Sequence, residues 1–206
     1  MTRDRAALAA LSLPVEQAAV ALLGRLLALD GVVLRLSEVE AYGGQHDPAS
    51  HAWRGRTAGN TVMFGAAGIA YVYRSYGIHW CLNVVTGTAG EGAAVLLRAG
   101  EVVSGLRAAS ARRPAAKRSA ELARGPGRLT QALGVHGGHS GVDLLCPRSP
   151  LRLLPAPGGD AASHRVDSGP RVGVSRAADV PWRFWIRDDP TVSAYRRSPR
   201  APASAS

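Results

Sequence analysis

The chain has 206 residues, enough for one sizeable core and little more, with 46% hydrophobic and 19% charged residues, an ordinary balance for a globular domain. No apolar run is long enough to span a bilayer, and two cysteines, Cys81 and Cys146, are too few for a structural zinc site, an iron–sulfur cluster or a disulfide framework. The formal charge of +10 and an isoelectric point of about 10.9 fit a polyanionic partner, although a genome that favours arginine over lysine would give the same sign; Lys117 is the only lysine.

Near the N-terminus two arginines precede an Ala/Leu stretch, but Pro14, Glu16 and Gln17 interrupt it, so no secretory signal and a cytoplasmic, reducing location are expected. Pro14 suits the first turn of a helix over Val15–Leu23. Leu26–Leu29, Asp30-Gly31 and Val32–Tyr42 predict a β-hairpin on a two-residue turn. Residues 43–60 lack a period and read as a functional loop. Ile69–Ser75 and Ile78–Val85 predict a second hairpin with Tyr76-Gly77 at its tip, and Ala93–Ala99 a buried strand. A helix is expected from Glu101 to about Ala111, then a mobile basic connector to Ser119. Gly125-Pro126-Gly127 leads into a helix at Arg128–Leu133 and would aim backbone N–H groups at a phosphate, or simply form a turn. Residues 134–142 and 155–170 read as loops, Arg171–Val174 and Trp182–Arg187 as strands, and 198–206 as a disordered tail after one domain over residues 1–197. Strands and helices mix without regular alternation, which indicates a single α+β domain.

Three groups of residues could carry chemistry. Alternation along Val32–Tyr42 puts Glu38, Glu40 and Tyr42 on one face, with Leu34 and Leu36 ahead of them. Such a face is either a strand end turning to solvent or a pair of working carboxylates beside an aromatic ring. Tyr71 and Tyr73 share a face of the second hairpin, with Tyr76 at its tip; they are cross-strand packing or a stacking platform and wedge for a nucleobase. His46, His51 and His79 with Asp47 fit no common zinc spacing, so no metal is expected.

Taken together, the segments resemble the alkyladenine (3-methyladenine) DNA glycosylase family. The resemblance rests on Glu38-Val-Glu-Ala-Tyr42, His51, Asn60 with Met63-Phe64-Gly65, Gly68 through Gly77, Cys81-Leu-Asn83, Ala94-Val-Leu-Leu-Arg98, Glu121 through Pro126, Gln131-Ala-Leu133 and Arg171-Val-Gly-Val174. Any one block is weak; the ordered set, from about Leu11 to Arg196, is specific. It implies a mixed domain around a curved antiparallel sheet with a protruding hairpin. It also implies a monomeric, cofactor-free enzyme that flips an alkylated or deaminated purine out of double-stranded DNA and hydrolyses its N-glycosidic bond.

By the same resemblance Glu40 is the general base, Arg98 holds the attacking water with it, and the Val172 backbone carbonyl is a third ligand of that water. Tyr42, His51 and Tyr73 wall the base pocket, Asn83 crowds the exocyclic amine of normal guanine, Tyr76 is the wedge, and Met63 and His79 lie near the DNA. Electron-rich rings suit a cationic alkylpurine, with stacking worth about 1–3 kcal/mol per base. Thr57-Ala58-Gly59-Asn60 departs from the Thr-Pro-Arg-Asn run common in the family, which puts that loop's rigidity in question. The alternatives are a non-catalytic nucleic-acid-binding module of the same shape and an RNA-binding α+β domain.

Overall fold

The computed structural model describes residues 3–157 and 165–203. Helix α1 (Arg5–Leu11) begins where the Asp4 carboxylate accepts from the Ala7 amide at 3.0 Å, an N-cap that satisfies one of the donors a helix start leaves open. The early arginines and alanines had not marked this helix. Helix α2 (Val15–Leu22) follows Pro14 as expected and buries Val15, Ala18, Ala19 and Leu22. Strands β1 (Leu26–Leu29) and β2 (Val32–Tyr42) pair antiparallel across Asp30-Gly31, both of which take positive φ, 47° and 77°, as a primed two-residue turn requires.

The second hairpin is β3 (Ala70–Ser75) and β4 (His79–Thr86), and β5 (Ala93–Ser104) lies between β4 and β2. With β6 (Arg152–Leu154) beside β1, the sheet order is β3-β4-β5-β2-β1-β6. Strands β7 (Val166–Gly169) and β8 (Arg183–Ile186) complete it: β8 pairs with both β2 and β7. Every pairing is antiparallel. The expected α+β class, with a curved antiparallel sheet and a projecting β3–β4 hairpin, is what is found.

Strand β2 holds the feature on which the site depends. Its pairing with β5 skips Ser37 on one strand and Arg98 on the other, a paired bulge that adds a residue to each ladder. Before it, Val32, Leu34 and Leu36 face the apolar core; after it, Val39 and Ala41 do. The side-chain parity of β2 therefore reverses at Ser37. Glu38, Glu40 and Tyr42 do share a face, but Leu34 and Leu36 are on the other one. Simple alternation across the strand had joined them because a bulge leaves no mark in the hydrophobic pattern.

Helices α3 (Leu106–Arg112) and α4 (Pro126–Leu133), with α1 and α2, supply Ala7, Leu11, Ala19, Leu22, Ala109, Leu129 and Leu133 to that core. The helix expected from Glu101 begins only at Leu106. Glu101 and Val102 instead extend β5 against Arg35 and Leu34, so sheet pairing overrides local helix propensity. Arg171–Val174 is not a strand. Gly173 sits at φ 72°, and the segment turns across the sheet end instead of pairing with it. Residues 166–169 of the expected 155–170 loop form β7, and residues 158–164 of it lie outside the described residues. In the expected tail, Ala201 N–H donates to the Ser198 carbonyl at 3.0 Å; residues 204–206 lie outside the described residues.

Leu36 and Val39 have opposite sequence parity, yet both are wholly buried in the core. Leu36→Ala is expected to cost about 2–5 kcal/mol and Val39→Ala a smaller but clear amount. Urea denaturation of both variants measures this; an unaffected Val39→Ala would contradict the parity reversal.

Candidate active site

On the sheet face opposite the helices lies an open cavity of about 550 Å³. Four strands each contribute an alternate pair to its floor: Glu40 and Tyr42 from β2, Tyr71 and Tyr73 from β3, Cys81 and Asn83 from β4, Leu96 and Arg98 from β5. The intervening residues, such as Val72, Leu82 and Leu97, point into the core. One sheet thus carries an apolar face and a polar, aromatic one. His51 and Met63 come from the loop after β2, and Val172 from the turn before β8.

Glu40 is wholly buried and held on several sides. Its Oε1 accepts from the Val172 amide at 2.7 Å, its Oε2 from the Tyr42 hydroxyl at 2.9 Å, and Arg98 Nη1 stands 3.2 Å from Oε2. Val172 thus reaches Glu40 through its N–H. Arg98 donates through Nε to Glu38 at 2.8 Å. Glu38 also accepts from Arg183 Nε at 2.7 Å, and from the Ser193 amide at 2.7 Å and hydroxyl at 2.9 Å. Burial works to raise the Glu38 pKa, but the Arg98 and Arg183 charges with the Ser193 amide hold it below the ordinary carboxylate range. Arg98 is itself desolvated, an effect that the two carboxylates beside it more than offset, so its pKa is raised. Two buried carboxylates matched by two buried guanidiniums satisfy the requirement that interior charge be paired and hydrogen-bonded.

The turn carrying Val172 is pinned by its neighbour Arg171, 1% exposed. Arg171 Nη1 donates to the Ala41 carbonyl and Nη2 to Asp47 Oδ1, both at 2.9 Å. Its guanidinium also lies over the Tyr42 and Trp182 rings, 4.8 and 5.4 Å from their centroids. Tyr42 is thereby fixed between a cation and the carboxylate to which it donates. Burial and then the Glu40 charge push its phenol pKa well up, so the hydroxyl stays a donor.

Tyr71 and Tyr73 stack at 5.5 Å, and the His51 ring meets Tyr73 edge-on at 4.5 Å. His51 Nδ1 lies 3.2 Å from the Tyr71 hydroxyl. Burial raises the Tyr71 pKa to about 12. At the hairpin tip Tyr76 is 92% exposed and takes φ 49°, a left-handed conformation that costs a bulky residue about 1–2 kcal/mol. Packing does not account for a strained, solvent-facing tyrosine where asparagine would be easier.

The family model for methylpurine-DNA glycosylase (MPG) matches residues 9–190. The chain belongs to the methylpurine-DNA glycosylase family. Relatives bearing the name "Putative 3-methyladenine DNA glycosylase" agree. One from Nocardia farcinica is 55% identical over 91% of this chain and 90% of its own. One from Rhodococcus jostii is 54% identical over 91% and 84%. One from Mycobacterium tuberculosis is 51% identical over 90% and 92%.

Of the family positions carried over from sequence, Glu40, Arg98, Val172, Tyr42, His51, Tyr73, Asn83, Tyr76 and Met63 all line the one cavity. His79 does not line it: it is exposed at the start of β4 and packs against Gly127, where an added Cβ would meet its Cβ at 2.9 Å. Spacing and composition do not single out Arg171, Arg183 or Ser193. A signal existed only for Arg171, which opens a family block; nothing in the sequence ties Arg183 or Ser193 to Glu38. The loop with the atypical Thr57-Ala58-Gly59-Asn60 run is fastened by Asn60. Its Nδ2 donates to the His51 and Gly55 carbonyls at 2.9 and 3.0 Å, and its Oδ1 accepts from the Thr57 amide at 2.6 Å. The side chain of Asn60, a position the two runs share, thus ties the loop together without the proline.

Asp47→Asn leaves the Arg171 charge buried without its anion and is expected to destabilise by about 3–5 kcal/mol, read from denaturant midpoints. The Glu38 pKa is lowered on folding, so its contribution is fully present above its unfolded-state value and is lost as pH falls through the folded one. The acid arm of the wild-type stability profile should therefore be steeper than that of Glu38→Gln, as measured by thermal unfolding below neutral pH.

Proposed function

We propose that this chain repairs DNA by flipping an alkylated or deaminated purine from the duplex into the aromatic cavity and hydrolysing its N-glycosidic bond. Glu40 is the general base. A water held by Glu40, Arg98 and the Val172 carbonyl gives a proton to Glu40 while its oxygen bonds to C1′ of the deoxyribose. The bond from C1′ to the purine nitrogen breaks and its electron pair stays with the base; a purine alkylated on N3 or N7 is cationic and leaves as a neutral molecule, whereas a deaminated purine is neutral, leaves as its anion and takes up one proton from water. The products are the free base and an abasic site. The Glu40 carboxylate faces the sugar as it gains oxocarbenium character, so one group serves for proton transfer and for charge stabilisation.

The observation that carries this reading is the buried Glu40–Arg98 pair at the floor of a cavity walled by Tyr42, Tyr73 and His51. A carboxylate has about four acceptor positions, and the Val172 amide and Tyr42 hydroxyl occupy two of those on Glu40, leaving room for a water. The volume suits a single base. Tyr76 fills the gap left in the duplex, which gives its strained exposure a use. The only lysine, Lys117, is exposed beyond α3 and is not among the lining residues, so the enzyme is monofunctional, without Schiff-base chemistry. It acts as a monomer on double-stranded DNA.

Glu40→Gln is expected to abolish base release from DNA containing 3-methyladenine or hypoxanthine while damaged DNA still binds; excision at the wild-type rate would remove Glu40 from this role. Borohydride should trap no covalent enzyme–DNA adduct. Tyr76→Asn should keep or slightly raise the melting temperature and yet weaken lesion binding. Base-analogue fluorescence showing equal flipped populations in both proteins would end the wedge assignment.

A further inference from the structure

We propose that Glu38 is a positioning residue for Glu40: it anchors Arg98 through Nε, so that this guanidinium meets Glu40 with a single nitrogen and leaves the rest of the carboxylate open to water. The inference rests on Glu40 being the general base.

The geometry of Arg98 is the starting point. A guanidinium ordinarily grips a carboxylate with two parallel N–H···O bonds. Here the aligned bonds of Arg98 go elsewhere, from Nε to Glu38 Oε1 at 2.8 Å and from Nη2 to Ser193 Oγ at 3.3 Å. Toward Glu40 it presents only Nη1, at 3.2 Å from Oε2. The anchor is itself immobile. Glu38 is wholly buried, and Arg183 and the Ser193 amide and hydroxyl complete its contacts. Arg183 in turn donates Nη2 to the Ser193 carbonyl at 2.7 Å. Glu38 touches neither the cavity nor any reacting atom; it is absent from the lining residues.

Without this anchor, Arg98 would be free to turn and close on both oxygens of Glu40. That would occupy the acceptor positions a water needs, so the fault would appear in the chemical step and not in binding of the lesion.

The test pairs single-turnover release of 3-methyladenine from methylated duplex DNA, where the leaving base is already cationic, with the Kd for the same DNA. Glu38→Gln is expected to lower the single-turnover rate between about ten- and a hundredfold, the scale set by a small misplacement in the site, while the Kd stays at the wild-type value. Glu38→Asp, which keeps the anion, should recover part of the rate. A purely structural Glu38 would lower the melting temperature and weaken rate and binding together. If Glu38→Gln does not fold, Ser193→Ala decides: it keeps every charge and the amide bond to Glu38 but removes one anchor of Arg98. It should give a smaller loss of rate, again with the Kd unchanged. A wild-type rate in the folded variant, or a loss shared by rate and Kd, overturns the proposal for Glu38. Full activity in Glu40→Gln would instead show that the underlying assignment of the base had failed.

Discussion

The paired bulge at Ser37 and Arg98 is the constraint from which the site follows. A regular strand of this length would present one face to the core and one to solvent from end to end. One extra residue on each ladder exchanges the faces midway. The first half of β2 then packs on β1 and the helices through Val32, Leu34 and Leu36, and the second half turns Glu38 and Glu40 away from those leucines. The same half of β2 takes β8 as its outer partner, which brings Arg183 against Glu38. A local irregularity in backbone pairing thus sets both the polarity of the cavity floor and the identity of the cation beneath it.

Charge burial is tolerable there because no ion is left alone. Glu38 and Glu40 face Arg98, Arg183 supplies the second cation, and Ser193 fills the remaining hydrogen-bonding positions. Such an arrangement contributes little net stability against an apolar packing of equal volume, since desolvation offsets most of the Coulombic gain. Its value lies in fixing orientation. The Arg171–Asp47 pair works similarly one layer out, holding the Val172 turn to the end of β2 and stacking on Tyr42.

The basic charge of the chain is distributed in a way that suits a phosphate-rich ligand. Arg74 and Arg176, at the edge of the cavity, lie over the faces of Trp80 and Trp53, 5.7 and 4.6 Å from the ring centroids. Arg56 lies 4.9 Å from the Phe64 centroid. An aromatic face orients a guanidinium without neutralising it, so these side chains keep their charge for an incoming polyanion. Arg171 and Arg183, deep in the fold, also lie over rings but are paired with carboxylates as well. The distinction follows burial: a cation near water can do without an anion, and one in the interior cannot.

Much of this was legible in the chain itself. The Asp30-Gly31 and Tyr76-Gly77 turns, the apolar runs of the central strands and the alternation of Glu38, Glu40 and Tyr42 or of Tyr71 and Tyr73 are local patterns. Turn sterics and two-residue periodicity are written in neighbouring residues. The ordered family blocks named the cavity residues, and all of them but His79 meet in one place. Local pattern failed where distant pairing decided the outcome: Glu101 and Val102 joined a strand because Arg35 and Leu34 were there to pair with them, and Leu36 parted from Glu38 because a bulge changes register without changing composition. The partnership of Glu38 with Arg183 and Ser193, 145 and 155 residues away in the chain, could come only from the folded sheet, since charge complementarity between remote residues has no sequence spacing to reveal it.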